Sequence, residues 1–150
     1  MRQNCVGAMV ACYTLRWHEG SDSSYAVCKV PFKLNAMNIE DYRFGWIVID
    51  GQSYTSDVIV FPDRVNDSWW RNEGHELCPA DLWEVVQEKP AVLVVGTGRS
   101  GLMRVLAETE EYLERQGIKL VIERTAEACQ TFNRLSRSGE RVVAALHLTC

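Results

Sequence analysis

The chain of 150 residues is long enough for one domain, and its 47% hydrophobic content supplies one core. Its formal net charge of −4 and its scattered basic residues exclude a general nucleic-acid surface, because phosphate binding needs clustered Lys and Arg. No apolar run approaches the ~18 residues of a transmembrane helix, so we predict no membrane partner. The six cysteines have no compact spacing, and we interpret them as reduced thiols of a cytoplasmic protein.

Residues 1–36 have no clear hydrophobic period and mix Cys, Ser and aromatic residues. An apolar stretch at Val6–Tyr13 follows Arg2, but it is short and little charge precedes it, which disfavours a signal peptide. We predict that residues 1–36 are an extension, poorly ordered or not native to the domain, and that the domain spans residues 37–150. A protease-resistant core that begins well before Asn35 would contradict this boundary.

From Met37 onward the pattern becomes that of an α/β domain. The segments Phe44–Asp50 and Tyr54–Phe61 are rich in Ile, Val and aromatic residues, which is typical of strands. Asp50-Gly51 between them is a strong signal for a hairpin turn. We therefore predict that the domain opens with a two-stranded hairpin.

Helices and buried strands alternate after the hairpin. Pro79 and Asp81 suit the first turn of a short helix that carries one apolar stripe. The further predicted elements are the strand Ala91–Val95, a helix through Tyr112 and Leu113, the strand Lys119–Glu123, the helix Ala126–Arg137 and the strand Arg141–Leu148. The order β-β-α-β-α-β-α-β requires a mixed sheet. We predict a single α/β domain in which helices flank a mixed central sheet as a three-layer sandwich.

Three glycines follow the third predicted strand. Gly96, Gly98 and Gly101 match the dinucleotide fingerprint G-x-G-x-x-G, and Glu123 stands near the position of its acidic ribose ligand. Three features disfavour a nucleotide here: a hairpin and a helix come first, few βα units follow, and the helical pattern is clear only from about Glu108. We therefore predict that this loop is first a strand-to-helix turn, and we assign no cofactor.

The same loop is nevertheless the candidate ligand loop of the chain. The carboxyl ends of strands form the edge of an α/β sheet where ligands bind, and backbone N–H groups with Arg99 suit a small anion. An ion pair between Arg99 and nearby Glu side chains is the alternative explanation of this arginine. The candidate residues are Gly96, Thr97, Gly98, Arg99, Ser100 and Gly101.

A candidate interaction surface lies in the polar loop between the hairpin and the first helix. It comprises Trp69, Trp70, Arg71 and His75. Two adjacent residues on an extended segment point to opposite sides, so only one of the two indoles can face the core. An exposed Trp beside an Arg suits a protein contact. The alternative is that the indole covers the core beneath a long loop.

Two His-x-x-Cys pairs have the residue types of a zinc site: His75 with Cys78, and His147 with Cys150. Positions i and i+3 of a strand point to opposite faces, so we expect His147 and Cys150 to lie apart and we assign no metal. Ser100 matches only the last part of a G-x-S-x-G nucleophile elbow. We therefore assign no catalytic residue.

The last helix and strand carry a resemblance to a known family. Its most specific part is TAEACQTFNRL at Thr125–Leu135, followed by GERVVAALH at Gly139–His147; the Gly-Thr-Gly at 96–98 also matches. Over about residues 39–150 the chain resembles the Mth nine-three-eight-like domain family. Relatives in that family include a mitochondrial assembly factor for respiratory complex I and an adipogenesis-associated protein. The resemblance implies a compact three-layer α/β domain and no established catalytic activity.

Two functional classes stay open at this point. The first is a non-enzymatic protein-binding or assembly module that uses the Trp69–Cys78 loop and the glycine loop. The second is a small-anion or nucleotide-binding protein that uses Gly96–Gly101. We favour the first, with an unidentified protein as its partner and with a monomer or a homodimer as its oligomeric state.

Overall fold

The computed structural model describes residues 36–150, so the predicted extension lies outside the described residues except for Ala36. The strands are β1 (Ile39–Arg43), β2 (Trp46–Ile49), β3 (Gln52–Tyr54), β4 (Val58–Val60), β5 (Val65–Asn66), β6 (Glu76–Leu77), β7 (Val92–Thr97), β8 (Arg104–Val105), β9 (Lys119–Glu123) and β10 (Val142–His147). The helices are α1 (Trp83–Glu88), which follows a 3-10 turn at Pro79–Leu82, α2 (Ala107–Arg115) and α3 (Thr125–Arg137).

A five-stranded mixed sheet forms the centre of the domain, in the order β5-β4-β10-β7-β9. β10 pairs in parallel with β7 and antiparallel with β4, and β7 pairs in parallel with β9. Every residue of β7 and β10 is buried, as expected for central strands that are covered on both faces. The predicted α/β fold with a mixed central sheet is confirmed.

The two faces of this sheet bury separate apolar clusters. In β7, Val92 and Val94 pack toward α3 and the β1–β2 hairpin, whereas Leu93 and Val95 pack toward α1 and α2. This alternation is the period of two that a strand imposes on its side chains. Full burial of a Val or Leu side chain contributes about 1.5–3 kcal/mol, so the central strands supply much of the folding free energy.

Helix α3 joins the central sheet to the β1-β2-β3 sheet. Its buried face includes Ala128, Cys129 and Phe132, spaced as one side of a helix. Asn133 brackets the start of β1, because its amide group donates to the carbonyl of Ile39 at 2.7 Å and accepts from the N–H of Ile39 at 2.8 Å. Burial raises the pKa of the Cys129 thiol to about 12, so this cysteine is a packing residue rather than a reactive one.

The start of the domain differs from its prediction in two ways: the unpredicted strand β1 precedes and pairs with β2, and the second predicted strand is divided. Asp50 and Gly51 form the predicted turn, both with positive φ, and join β2 to β3. However, the single predicted strand Tyr54–Phe61 is wrong, because β3 stays on the hairpin while β4 enters the central sheet beside β10. The difference has a physical basis: β4 is buried on both faces, whereas β3 is mostly exposed.

The segment that follows the glycines contains only the two-residue strand β8, and α2 begins only at Ala107, as the late onset of its helical pattern predicts. The three cysteines between residues 36 and 150 are free thiols: Cys78, Cys129 and Cys150. No helix within this range combines the length and the apolar composition needed to span a bilayer.

Candidate functional site

One edge of the central sheet gathers most of the polar residues named above. The pairing of β10 with β7 places His147 beside Thr97, at the carboxyl ends of both strands. The antiparallel pairing of Leu146 with Val58 brings the amino end of β4 to the same place. Asp57 precedes β4 and therefore lies next to His147.

Asp57, Arg71 and His147 form a largely buried polar cluster at this edge. Oδ2 of Asp57 lies 2.7 Å from His147 Nδ1 and 2.7 Å from Arg71 Nη1. The N–H groups of Nη1 do not point at that oxygen, so the arginine and the carboxylate form a contact ion pair rather than a hydrogen bond. Nη2 of Arg71 donates to the carbonyl oxygen of Gly74 at 3.0 Å.

The charge state of Asp57 determines which nitrogen of His147 carries the proton. Burial alone would raise the pKa of Asp57, but hydrogen bonds from His147 and from the N–H of Leu148, together with the charge of Arg71, hold that pKa below its ordinary value. Asp57 is thus a carboxylate at neutral pH, and Nδ1 of His147 donates to it. In the neutral ring, Nε2 then keeps its lone pair. The contact of 3.0 Å between Arg71 Nη2 and Nδ1 joins two donors and is not a hydrogen bond.

We expect Asp57 to make the folded state sensitive to acid. Because the folded-state pKa is lowered, its stabilising contribution is complete above the unfolded pKa of about 3.9 and is lost as the pH falls through the folded value. Urea unfolding of wild type and Asp57→Asn between about pH 5 and pH 3 should therefore show a flatter pH dependence for the variant. Asp63→Asn, at an exposed carboxylate, is the control. Parallel curves for wild type and Asp57→Asn would contradict this assignment.

A second group of side chains continues the cluster toward solvent. Nε2 of the exposed His75 lies 3.2 Å from Sγ of Cys150, and the rings of His75 and His147 meet edge to face with centroids 6.2 Å apart. Oγ1 of Thr149 lies 3.4 Å from His147 Nε2. One potential ligand atom each from His75, His147 and Cys150 lies within 4.8 Å of the other two.

The expectation that His147 and Cys150 lie apart is therefore wrong. The strand ends at His147, so residues 148–150 do not follow the alternation of a strand, and the chain bends Cys150 back toward the histidines. Cys78 takes another role, because its backbone N–H donates to Oδ2 of Asp81 at 3.0 Å at the start of the 3-10 turn.

Two backbone N–H groups of the glycine loop, Gly96–Gly101, donate hydrogen bonds to other parts of the chain. The N–H of Gly98 donates to Oγ1 of Thr125 at 2.9 Å, and the N–H of Arg99 donates to the carbonyl oxygen of Thr149 at 2.9 Å. Oγ1 of Thr125 donates in turn to the carbonyl oxygen of His147 at 2.6 Å. Two donors that a pyrophosphate would use are thus engaged within the domain.

Two of the glycines allow other segments of the chain to pack closely against the loop. A Cβ on Gly96 would lie 2.9 Å from Oγ1 of Thr125, so its absence lets α3 approach β7. The backbone of Gly98 has a φ of 95° and passes directly against the carbonyl oxygens of Thr149 and Cys150. Arg99, Ser100 and Gly101 are exposed beyond this contact. Anion binding by those atoms stays a prediction.

The adjacent tryptophans divide between core and surface, as their spacing predicts. Trp69 is buried, its indole N–H donates to the carbonyl oxygen of Asp81 at 3.0 Å, and the Arg71 guanidinium lies 4.8 Å from its ring centroid. The side chain of Trp70 is 86% exposed. Arg71 and His75 belong to the polar clusters described above, so the predicted surface residues lie close to that sheet edge.

Sequence reasoning did not find Asp57 or Thr125 as site residues. Asp57 fell inside a segment interpreted as one strand, and only the antiparallel register of β4 with β10 places it beside His147. Thr125 directly precedes the predicted helix Ala126–Arg137, and this position gives no indication that its hydroxyl group joins β10 to the glycine loop.

Comparison with known proteins places the domain in a family. A family model described as "Protein of unknown function (DUF498/DUF598)" matches residues 39–147. The chain belongs to this family. A human relative, NADH dehydrogenase [ubiquinone] 1 alpha subcomplex assembly factor 3, is 27% identical over an alignment of 114 residues that covers 74% of this chain. The chain spans 60% of the length of that relative.

Solved structures of the family share the fold. The conserved hypothetical protein PH1505 from Pyrococcus horikoshii OT3 is 30% identical, with a TM-score of 0.66 over 76% of this chain and 100% of its own. A protein from Bordetella pertussis, described as a Mth nine-three-eight-like domain, is 21% identical, with a TM-score of 0.63 over 88% of this chain and 92% of its own. The resemblance found in the sequence is confirmed.

Proposed function

We propose that this domain is a non-enzymatic protein-binding module of the assembly type, and that its contact surface is centred on Trp70. The observation that carries the proposal is the 86% exposure of this indole between two buried neighbours. The printed name of the human relative, an assembly factor, supports the same class of function.

The anchoring of the neighbours is what makes Trp70 suited to binding. Trp69 is fixed by its hydrogen bond to Asp81, and Arg71 is fixed by its ion pair with Asp57. The backbone that carries Trp70 is therefore held on both sides, which reduces the ordering cost of binding. Full burial of an indole removes about 150–250 Å² of surface from water, and Trp is among the residues enriched at binding hot spots.

We expect Trp70→Ala to abolish partner binding without unfolding the domain. Affinity capture with the full chain, quantified by mass spectrometry, should show proteins retained by wild type and lost in Trp70→Ala. Trp83→Ala, which removes a second exposed indole on α1, is the matched control and should retain them. Each such protein is then purified, and its Kd should rise by at least about 30-fold in Trp70→Ala, the size of a hot-spot residue.

Sedimentation of the purified chain distinguishes a second copy from another protein as the partner. A dimer that Trp70→Ala converts to a monomer identifies the partner as the chain itself. Binding of purified partners with equal Kd to wild type and Trp70→Ala would overturn the proposed surface.

A further inference from the structure

The group formed by His75, His147 and Cys150 has a feature that protein binding does not explain. Three side chains that prefer transition metals meet at one place, although His75 is far from the other two along the chain. One ligand atom from each lies within 4.8 Å of the other two. His147 is buried and His75 is exposed, so the group opens from the sheet edge to solvent.

The contact that Nδ1 of His147 makes with Asp57 leaves the lone pair of Nε2 for a metal. Nδ1 lies 2.7 Å from Oδ2 of Asp57, a contact that fixes the ring and leaves Nε2, which has Oγ1 of Thr149 at 3.4 Å, as the ligand atom. A histidine that ligates a metal usually donates its other N–H to a carboxylate or a carbonyl in this way. The charge of Arg71 is matched by that of Asp57, with which it forms an ion pair, so Arg71 leaves no uncompensated positive charge beside this group.

Backbone contacts hold the two segments that carry the other ligands. The carbonyl oxygen of His75 accepts from the N–H of Arg104 at 2.8 Å, which ties its loop to β8. The segment that carries Cys150 is held by the N–H of Leu148, which donates to Oδ1 of Asp57 at 2.8 Å, and by the carbonyl of Thr149, which accepts from Arg99.

We propose that His75, His147 and Cys150 bind a zinc ion, with a solvent molecule as the fourth ligand. Two imidazoles and a thiolate suit zinc and exclude the hard ions Mg²⁺ and Ca²⁺, which prefer oxygen. Zn–N bonds of about 2.0–2.1 Å and Zn–S bonds of about 2.3 Å at tetrahedral angles place ligand atoms roughly 3.4–3.6 Å apart. The separation of 3.2 Å between His75 Nε2 and Cys150 Sγ is close to this range, and the ligand atom of His147, within 4.8 Å of both, would move closer by up to about 1.3 Å when the ion binds.

The open position defines what kind of site this is. Structural zinc sites have four protein ligands, whereas three protein ligands leave room for a water or an incoming group. The proposed ion would therefore be exposed to exchangeable ligands close to the loop that carries Trp70. The proposal replaces the sequence-based assignment of no metal, and it does not depend on the protein-binding function.

The test is a zinc titration of the full chain after removal of metal with EDTA, followed by competition with a chelator. Wild type should bind one ion at this site, and Cys150→Ser and His75→Ala should each weaken it by more than the roughly 10–100-fold that loss of an outer partner causes. Cys78→Ala removes one thiol outside the cluster and should bind as wild type does. Asp57→Asn should weaken binding by roughly 10–100-fold.

Cobalt substitution reports the ligands directly. Co²⁺ should give a thiolate charge-transfer band and intense visible bands of tetrahedral geometry in wild type and Cys78→Ala, and the charge-transfer band should be lost in Cys150→Ser. Equal zinc affinity of wild type and Cys150→Ser would assign the metal to other residues and overturn the proposal. Alkylation of Cys150 by iodoacetamide at the same rate with and without saturating zinc would overturn it as well.

Discussion

Gly98→Ala is expected to destabilise the domain by more than about 4 kcal/mol, at the extreme of single substitutions. A Cβ at this position would collide with the carbonyl oxygens of Thr149 and Cys150, which are backbone atoms of the segment after β10, and the Thr149 carbonyl is held in place by the N–H of Arg99. The φ of 95° adds strain for any residue with a side chain. The measurement is the free energy of unfolding in urea with EDTA present, compared with wild type.

Gly101→Ala is the matched control in the same loop. Gly101 also has a positive φ, of 73°, but a Cβ there would lie 3.6 Å from its nearest neighbours, which is ordinary contact. We expect a loss of about 1–2 kcal/mol, which is the cost of the left-handed conformation alone. Similar losses for the two variants would show that residues 148–150 do not pack against Gly98.

The second large effect is expected at Arg71. Arg71→Met keeps most of the side-chain volume but removes the charge that Asp57 contacts at 2.7 Å, and it leaves a largely buried carboxylate without its cation. Breaking a buried ion pair on one side costs about 3–5 kcal/mol. Because the uncompensated charge on Asp57 causes most of this loss, Asp57→Asn in the same chain should recover part of it.

The control for this charge effect is an exposed pair. Arg115 and Glu111 on α2 lie 2.9 Å apart, with both side chains mostly exposed, so Arg115→Met should cost only about 0.3–0.5 kcal/mol. Urea unfolding of the three single variants and of the Arg71→Met/Asp57→Asn double variant gives the coupling energy. Strict additivity of the two substitutions would contradict a direct interaction between Arg71 and Asp57.

The fold was predictable where a segment carries its own pattern. The apolar run of β7 is such a local signal. So are Gly117 and Gly139, which have positive φ and follow the ends of α2 and α3. All three elements are present in the structure. The break between β3 and β4 was not predictable, because Tyr54–Phe61 has strand-forming residues throughout. The chain passes from one sheet to the other here because β4 pairs with β10, which lies far along the chain.

The site was predictable only in part for the same reason. The exposure of one tryptophan follows from the alternation of neighbouring residues, which is local. The proximity of Asp57 to His147 depends on a register between segments 90 residues apart. The return of Cys150 toward His75 depends on a bend after β10 that the strand pattern does not reveal.

The central place of β10 has a consequence for how the domain folds. In sheet order, β10 separates the pair β5-β4 from the pair β7-β9, yet in chain order it follows all four of them. During synthesis on the ribosome, the two halves of the sheet therefore cannot join until residues 142–147 emerge. Until then, β4 and β7 each lack their common neighbour, β10. Closing such distant contacts is slow, so we expect unpaired strand edges to be exposed throughout this interval.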